Sequence, residues 1–422
     1  MCCSTPVNVV PPIRSGRSLD QKLANLHADP HGARDFILAD AKDADMASGL
    51  AATGVDPVTG KMRSLAEYRD QMREIVRQGL VDIMLMSAST SDLLTIKERL
   101  FENSRVTPAV RANDTTDIHL PAGGTYAAEP SRPFRTATIE QIQSGTASPS
   151  PAERLLGADL GLYSITPNNK LEFDYATLEA YKQFRIEAEQ KGFRHFLEVF
   201  DPNACGDACP LDLGRFINDL IVRTLAGVPS GGRPVFLKIA YHGPKAMEEL
   251  VAYDPTLVVG VLGGSSGTTY DAFKLLEDAK RYGARAALYG RKINNSEHQL
   301  TFVRFLHAIA AGQIGSQEAV RAYHGELAML KIKPWRALKD DLQCTVTATS
   351  YAGTAPSVRP QAAKPPESKS SPATAVIAAP AVYPKLSNGA IDFKKMTPAQ
   401  KVAYSRERIR SDTVKSNGNG KT

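Results

Sequence analysis

Three charged side chains of this sequence lie inside or at the end of apolar runs, where charged residues are rare. Lys238 lies in PVFLKIAY, Glu198 lies in HFLEVFD, and Asp40 ends the run FILAD. Burial disfavours the charged form of a lysine, so we expect the pKa of Lys238 to be lowered. A neutral amine can attack a carbonyl carbon and form a Schiff base, and carboxylates can move the protons that this reaction needs. The alternative is that Lys238 only pairs with a buried carboxylate.

Two glycine-containing segments have the composition of an anion-binding site. The first is GGSSG, with Gly263, Gly264 and Ser265, and the second is GRK, with Gly290 and Arg291. Glycines let backbone N–H groups approach an anion closely, a serine hydroxyl adds a donor, and an arginine binds a phosphate with two hydrogen bonds. A Gly-Ser run alone is common in turns, but the two segments together predict a phosphate site.

The elements that position these residues alternate between apolar β-type runs and amphipathic helical patterns. Eight runs predict strands, over residues 36–40, 81–87, 106–112, 160–166, 195–201, 234–241, 257–264 and 284–290. Helical patterns cover residues 65–78, 92–102, 175–191, 213–225, 245–252, 270–282 and 300–311. Near-continuous hydrophobic strands separated by helices are typical of a parallel sheet covered by helices, and eight such units predict an α/β fold of the (β/α)8 TIM barrel class.

A doubly wound open sheet is the alternative fold, but it requires a glycine-rich turn after the first strand, and ADAKDADM contains no glycine. In a barrel, active sites lie at the carboxyl ends of the strands. The stretch 113–157, which follows the third strand, is long and irregular. We expect it to lie over that end of the barrel.

The composition is that of a folded protein with a basic tail. The chain has 422 residues, 42% of them hydrophobic and 23% charged, and a net charge of +6. From Thr345 onward Lys and Arg number 12 and Asp and Glu number 4, so the tail carries +8 and the rest of the chain −2. A DNA-binding enzyme usually has its basic surface on the folded body, so no nucleic-acid partner is expected. No run approaches the length of a membrane span and no apolar segment begins the chain, so we expect neither a membrane contact nor a secretory signal.

These patterns divide the chain into four parts. They are an N-terminal extension (1–34), a barrel domain (35–344), a Pro/Ala/Ser-rich linker (345–390) and a short basic amphipathic helix with a tail (391–422). The linker cannot bury enough apolar area to offset its chain entropy, so the basic C-terminal extension is expected to be disordered outside that helix. Thr397 and Pro398 predict the helix start. The tethered helix resembles the encapsulation peptides that load enzymes into bacterial microcompartments; docking to a shell or partner protein and a solvated, frayed tail are equal alternatives.

Five cysteines in a chain of this length do not form a disulfide scaffold. Cys205 and Cys209 have C-x3-C spacing and are expected to be two ordinary thiols, with half a metal site or a redox pair as the alternative. The expected compartment is a reducing cytoplasm. No His, Cys, Asp or Glu cluster has metal-ligand spacing and no nucleotide-binding motif is present, so neither a metal nor another cofactor is expected.

The segments GADLGLYSITPN, HFLEVFDPN, PVFLKIAYHG, VVGVLGGSSG and ALYGRKI resemble the class I, Schiff-base aldolases of the tagatose-bisphosphate, fructose-bisphosphate and deoxyribose-phosphate type. The resemblance covers residues 35–311. It implies that Lys238 forms the Schiff base, that Asp40 matches the aspartate ending the first strand, and that Glu198 matches the fifth-strand glutamate of the tagatose-bisphosphate branch.

The same resemblance implies that the phosphate site uses Gly263, Gly264, Gly290 and Arg291. It implies a metal-independent lyase of carbohydrate metabolism that acts on a phosphorylated sugar and assembles as a homo-oligomer. Two other functions stay open. One is a Schiff-base dehydratase or transaldolase-like enzyme, and the other is a non-catalytic barrel that binds or scaffolds through its basic tail.

The sequence departs from the tagatose-type pattern at two places. That branch carries a lysine in the fourth strand, where this chain has LGLYSIT with Tyr163, and its first strand continues with Gln-Arg-Gly, where this chain has AKDAD. Arg111, Asp114, Lys42 and Tyr163 are the candidates to take over the missing roles.

Overall fold

A computed structural model describes residues 16–56, 59–264 and 267–346, with a few positions between 384 and 400. In this described part, eight parallel strands close into a barrel in which consecutive strands are neighbours and the eighth pairs with the first. The strands are β1 (Ile37–Lys42), β2 (Ile83–Met86), β3 (Thr107–Arg111), β4 (Leu160–Ile165), β5 (Arg194–Val199), β6 (Leu237–Ile239), β7 (Val259–Leu262) and β8 (Ala286–Tyr289). The predicted TIM barrel is confirmed, and each strand lies within or beside its predicted run.

The strands are apolar along their whole length because both of their faces are buried. One set of side chains, which includes Ile37, Ala39, Leu162 and Phe196, fills the barrel interior. The alternate set packs outward against the surrounding helices. Since successive side chains of a strand point to opposite faces, this division assigns every strand residue to the interior or to the outer layer.

The helices follow the strands in the expected alternation. The α-helices of the described part are Ser18–Ala28, Ala44–Ser48, Leu65–Gln78, Ala88–Ser91, Ile139–Ser144, Leu171–Gln190, Leu213–Ala226, Pro244–Tyr253, Thr269–Arg281, Arg291–Asn294, Gln299–Ala310, Ser316–Met329 and Leu338–Asp341. A π-helical segment covers Asp92–Lys97, and single 3-10 turns lie at Gly49–Ala51, Tyr126–Ala128, Glu153–Leu155, Gly206–Ala208 and Ser230–Gly232.

The helix after β2 begins earlier than its pattern predicts. The apolar period starts at residue 92, but Ser87 caps a helix that begins at Ala88, because its side chain accepts a hydrogen bond from the Thr90 backbone N–H. The π-helical turn then ends the helix at Lys97 instead of residue 102. The hydroxyl cap therefore sets the start of this helix, ahead of its apolar stripe.

The N-terminal helix Ser18–Ala28 closes the amino end of the barrel. Its Leu19, Leu23 and Leu26 join the interior cluster from below the strands. Lys22 adds an ion pair to Asp82 at 2.7 Å. The packing of the barrel thus extends to Ser18, ahead of the expected start at residue 35.

The stretch 113–157 contains small elements of its own. Asp114–Thr115 and Pro133–Phe134 form a two-stranded antiparallel sheet, and the helix Ile139–Ser144 begins at a Thr138 capping box. Its Asn113 and Arg135 hold it to the barrel, since Asn113 donates to the Ser164 carbonyl at 2.9 Å and Arg135 pairs with Glu187 at 2.5 Å. The stretch is therefore an ordered segment with polar anchors.

Cys205 and Cys209 are joined by a disulfide, which corrects the expectation of two ordinary thiols. The 3-10 turn Gly206–Ala208 brings their Cα atoms to 4.8 Å. Gly206 has a positive φ of 57° in this turn. The tight turn brings the two cysteines, which are four residues apart in sequence, within bonding distance.

The chain consists of two compact units, Met1–Ala362 and Ala363–Thr422. The helix predicted from Thr397 and Pro398 falls almost wholly outside the described residues. Among the residues that are described, no helix is both long and apolar enough to cross a bilayer.

Candidate active site

Lys238 lies in the barrel interior near the carboxyl end of β6, with 6% of its surface exposed. Below it the interior is apolar and aromatic, with the rings of Phe196 and Phe236 stacked at 4.5 Å. The Lys238 amine therefore lies next to an apolar layer, the floor of the site, where an ionised group requires a close partner of opposite charge.

That partner is Glu198 on the neighbouring strand. The Glu198 Oε1 atom lies 2.5 Å from Lys238 Nζ, and the two residues are paired directly in the β5–β6 register. The other oxygen, Oε2, accepts hydrogen bonds from Ser164 Oγ at 2.7 Å and from Arg111 at 3.2 Å. One carboxylate oxygen is thus fixed by the barrel wall, while the other faces the amine.

Arg111 extends this network to the first strand. Its guanidinium donates to Asp43 at 2.5 Å and to Ser164 Oγ at 2.9 Å. Asp43, Arg111, Glu198 and Lys238 form what we call the interior charge chain. Burial acts to lower the pKa of Arg111, but the charges of Asp43 and Glu198 raise it above its ordinary value. Burial acts to raise the pKa of Asp43, but Arg111 and Lys238 lower it below its ordinary value.

The interior charge chain contains two acids and two bases, so it is neutral as a whole. All four residues are buried. Proton transfer from Lys238 to Glu198 would create a neutral amine next to a carboxylic acid, and Arg111 holds that acid in place. A buried amine beside an acid that can return a proton is the arrangement that imine formation requires.

The structure places Asp40 outside this chain, although the sequence analysis expected it there. Alternation along β1 puts Ala39 and Ala41 in the interior and Asp40 with Leu38 in the outer layer. Asp40 lies 3.8 Å from Lys42, whose Nζ donates to Gln299 at 2.7 Å. Asp43, just beyond the strand, occupies the interior position near Lys238 that was expected for Asp40.

Asp40 and Lys42 form a buried pair behind the barrel wall, and both are completely buried. Burial raises the pKa of Asp40 to about 6, with Lys42 opposing the change and Asp43 adding to it. Burial lowers the pKa of Lys42 to about 8, with Asp40 opposing the change. Neither oxygen of Asp40 has a hydrogen-bond partner among the described residues. The carboxyl group of Asp40 therefore keeps its proton to a higher pH than an exposed aspartate does.

We expect Asp40→Asn to flatten the dependence of stability on pH. Because the folded-state pKa is raised from 3.8 to about 6, the folded chain keeps a proton that the unfolded chain releases. This contribution is complete below the unfolded pKa and is lost as the pH rises through the folded pKa, with a slope of at most about 1.4 kcal/mol per pH unit. Urea unfolding of both proteins between roughly pH 4 and pH 7 measures the slope.

Asp114 also contributes to the dependence of stability on pH in this range, because burial raises its pKa to about 6 as well. It contributes equally to the wild type and to the Asp40 variant, so the difference between the two curves reports Asp40. Asp70→Asn, at an exposed position, is the matched control. An unchanged slope in Asp40→Asn would contradict the assignment.

An apolar cap lies over the interior charge chain. Ile118, from the stretch after β3, is 1% exposed and packs with Phe200, Ala240 and Leu262, which follow or end β5, β6 and β7. Ser131 Oγ donates to Asp117 at 2.7 Å and so secures the segment beside Ile118. Lys238 thus lies between an aromatic layer and this cap, with 6% of its surface exposed.

We expect Ile118→Ala to open the cap more often. Losing about 2 kcal/mol of packing makes the open state roughly thirtyfold more populated, so amine reagents should acylate Lys238 faster by a similar factor. Peptide mapping after brief treatment with acetic anhydride measures this rate. Leu211→Ala, at a fully exposed position of another loop, is the control. Equal rates in both variants would show that Ile118 does not limit access.

The residues expected to bind phosphate lie on adjacent loops after β7 and β8. The Gly263 N–H donates to the Leu288 carbonyl at 2.8 Å, which joins the two strand ends. Both turns require glycine for packing, because a Cβ at Gly263 would lie 2.2 Å from the Tyr289 ring and one at Gly290 would lie 2.3 Å from the Ala41 carbonyl oxygen. Close packing alone thus accounts for these two glycines.

Of the other expected phosphate ligands, Gly264 has a left-handed φ of 63° and Arg291 begins a short helix at the end of β8. Ser265 lies outside the described residues. Lys292, which the sequence analysis did not single out, donates to the Gly267 carbonyl at 2.8 Å and ties the two loops together. Burial lowers the pKa of Lys292 to about 8, and the charge of Arg336 acts in the same direction. Two cations therefore lie at the loops where the sequence predicted an anion.

A second acid–base pair lies at the rim. Asp201 Oδ1 is 2.8 Å from His242 Nε2, and these residues follow β5 and β6, the strands of Glu198 and Lys238. The second oxygen of Asp201 is buried with no hydrogen-bond partner among the described residues. The described part contains no group of three or more His, Cys, Asp or Glu side chains arranged to hold a metal ion.

Comparison with solved structures gives the same architecture. A fructose-bisphosphate aldolase from Slackia heliotrinireducens aligns with a TM-score of 0.52 and 16% identity, over 73% of this chain and 91% of its own. An archaeal fructose-1,6-bisphosphate aldolase, solved with its catalytic lysine bound to a carbinolamine intermediate, aligns with a TM-score of 0.49 and 15% identity, over 68% of this chain and 99% of its own. The Slackia heliotrinireducens aldolase thus shares its barrel fold with this chain, as the sequence resemblance predicted.

The sequence relationship is shorter. A 2-amino-3,7-dideoxy-D-threo-hept-6-ulosonate synthase from Archaeoglobus fulgidus is 36% identical over 93 residues, which is 22% of this chain and 34% of the synthase. This chain therefore matches only about a third of the length of that relative. No protein-family profile matches the chain. At these identities the structural likeness shows the fold.

Proposed function

We propose that this protein is a metal-independent aldolase that forms a Schiff base between Lys238 and the keto carbon of a phosphorylated ketose. The observation that carries the proposal is the placement of Lys238. Its amine is buried in the interior of an aldolase-type barrel, 2.5 Å from the Glu198 carboxylate. A carboxylate in contact with the amine can take up the proton that the amine must lose before it attacks a carbonyl carbon.

In the first stage Lys238 passes a proton to Glu198 Oε1 and attacks the substrate carbonyl as a neutral amine. The C=O bond opens to a carbinolamine, whose nitrogen loses its extra proton while its oxygen gains one. Glu198 then returns its proton to the hydroxyl, water leaves, and a C=N iminium remains. Arg111 and Ser164 hold Glu198 Oε2 during these transfers, so the proton moves only through Oε1.

In the second stage the iminium accepts electrons from the breaking carbon–carbon bond. Glu198, ionised again, takes the proton of the β-hydroxyl group, the bond breaks, and an aldehyde leaves. The electron pair forms an enamine on the lysine side. Protonation of the enamine carbon and hydrolysis by water then release the ketone and restore Lys238. The enclosed floor and cap exclude bulk water, which strengthens the electrostatic contribution of Arg111.

The loops after β7 and β8 would hold the phosphate of the substrate. Gly264 and Gly290 bring backbone close to the mouth of the barrel, and Arg291 and Lys292 supply positive charge. This is the usual phosphate position of TIM barrels. A phosphate held there would orient the ketone toward Lys238 on β6.

Borohydride trapping tests the proposal. The protein is incubated with dihydroxyacetone phosphate, reduced with borohydride and analysed by peptide mass spectrometry. We expect a stable adduct on the peptide that contains Lys238 and none without the ketone. Lys274→Met, which removes a helix lysine that pairs with Asp278, should give the same adduct yield as the wild type.

Two outcomes would change the conclusion. An adduct with non-phosphorylated keto acids or aldehydes, but not with dihydroxyacetone phosphate, would keep the Schiff base and reject the phosphorylated substrate. No adduct with any carbonyl compound would reject the Schiff base.

A further inference from the structure

A second cavity lies at the opposite end of the barrel from Lys238. It has a volume of about 820 Å³ and is lined by residues from three segments, 31–34, 277–285 and 309–318. The first two segments come just before β1 and β8, so this amino-end cavity opens at the amino ends of the strands. The catalytic proposal makes no use of it.

The lining of the amino-end cavity is strongly basic. Its lining includes four basic residues, Arg34, Lys280, Arg281 and Arg285, and two acidic residues, Glu277 and Glu318. Glu277 is already engaged, because Ser316 Oγ donates to it at 2.5 Å. The cavity therefore has an excess of positive charge over available negative charge.

The three arginines have no carboxylate partners of their own. Within the described residues, the guanidinium groups of Arg34, Arg281 and Arg285 form neither an ion pair nor a hydrogen bond. Arg285 is partly buried, and a partly buried guanidinium is normally paired. Arg34 and Arg281 are exposed and adaptable. An unpaired set of this kind fits an anion supplied from outside the chain.

Lys280 shows that these cations lie close together. Its Nζ donates to the Ala310 carbonyl at 2.5 Å, which fixes it at the cavity wall. Its pKa is lowered first by burial and then by the charges of Arg285 and Arg34. The helix Ser316–Met329 also begins at the cavity, where its N-terminal end adds positive potential.

We propose that the amino-end cavity binds a small polyanion, namely a metabolite that carries two or more phosphate groups. The volume suits a small molecule, since ligand cavities typically measure about 300–1,000 Å³. The basic tail of this chain is an unsuitable occupant, because from Thr345 onward it carries a net charge of +8. A compact ligand with several anionic oxygens can pair with several guanidinium groups at once.

Isothermal titration of the full-length protein with inorganic pyrophosphate and with ATP tests the site. We expect a dissociation constant below about 1 mM for at least one of them. The double variant R281Q/R285Q should weaken binding by about tenfold or more, because each lost charge-assisted hydrogen bond contributes more than 1 kcal/mol. Glu318→Gln, which removes a negative charge from the cavity wall, should strengthen binding.

The matched control is R215Q/R321Q, which makes the same change in net charge at positions that do not line the cavity. Equal weakening by both double variants would show general surface attraction and overturn the proposal. Loss of binding in Arg291→Gln but not in R281Q/R285Q would place the anion at the catalytic mouth instead. Absence of binding by both probes would also overturn it, and tighter competition by a DNA duplex would assign the cavity to nucleic acid.

Discussion

Replacing Lys238 with methionine is expected to lower kcat for carbon–carbon cleavage by a factor of at least about 10⁴, because the covalent electron sink is lost. Methionine matches the length of the lysine stem, so the floor of Phe196 and Phe236 should stay packed. Glu198 keeps its hydrogen bonds from Ser164 and Arg111. An aldehyde-coupled assay with the ketose identified by trapping measures the loss.

The control is Lys274→Met, which should retain wild-type activity, and thermal unfolding should show that both variants fold. Burial lowers the pKa of Lys42 and that of Lys292 to about 8, so a neutral amine could also form near neutral pH at either of these lysines. Full activity in Lys238→Met, with an adduct on Lys42, would contradict the assigned nucleophile.

Removing the guanidinium of Arg111 is expected to produce the largest loss of stability. Arg111→Met leaves Asp43 and Glu198 buried without their shared cation, and breaking one partner of a buried ion pair costs about 3–5 kcal/mol. Urea unfolding at neutral pH measures the change in the free energy of unfolding. The double variant R111M/D43N should recover part of the loss, because it removes one of the two stranded charges.

Arg99→Met provides the comparison, since Arg99 pairs with Glu102 at the surface with both side chains about half exposed. Exposed pairs contribute about 0–1 kcal/mol, so this variant should unfold almost as the wild type does. Equal effects of the two substitutions would mean that the interior charge chain contributes no special stability.

The fold could be predicted from the sequence because parallel barrel strands are apolar on both faces. The same property hides which face of β1 carries Asp40. In a strand with strict alternation the buried face is visible, but FILAD and its neighbours contain apolar residues at successive positions. Lys238 and Glu198 stood out as charges in apolar runs, whereas Asp40 stands at a strand end where either face is possible.

The other residues of the site could not be recognised from the hydrophobic periodicity of the sequence. Asp43 follows β1 in a turn, Ser164 is a small polar residue in β4, and Ile118 lies in a segment whose course depends on contacts far along the chain. Arg111 was among the candidates for the missing role of the fourth-strand lysine. Its guanidinium lies against Ser164 and Glu198, but only the closed barrel brings these strands together.

The interior charge chain also divides the barrel into two balanced halves. Asp43 and Arg111 pair within the half that contains β1–β4, and Glu198 and Lys238 pair within the half that contains β5–β8. Within the interior charge chain, the ion pair between Arg111 and Glu198 crosses from one half to the other, and Ser164 on β4 adds a hydrogen bond to Glu198 on β5. Each half of the barrel therefore contributes one acidic and one basic residue to the interior charge chain, and its contribution to the net charge is zero. Fragments cut between β4 and β5, or halves exchanged with those of a related barrel, are therefore expected to rebuild a neutral interior when they restore the contacts of Arg111 and Ser164 with Glu198.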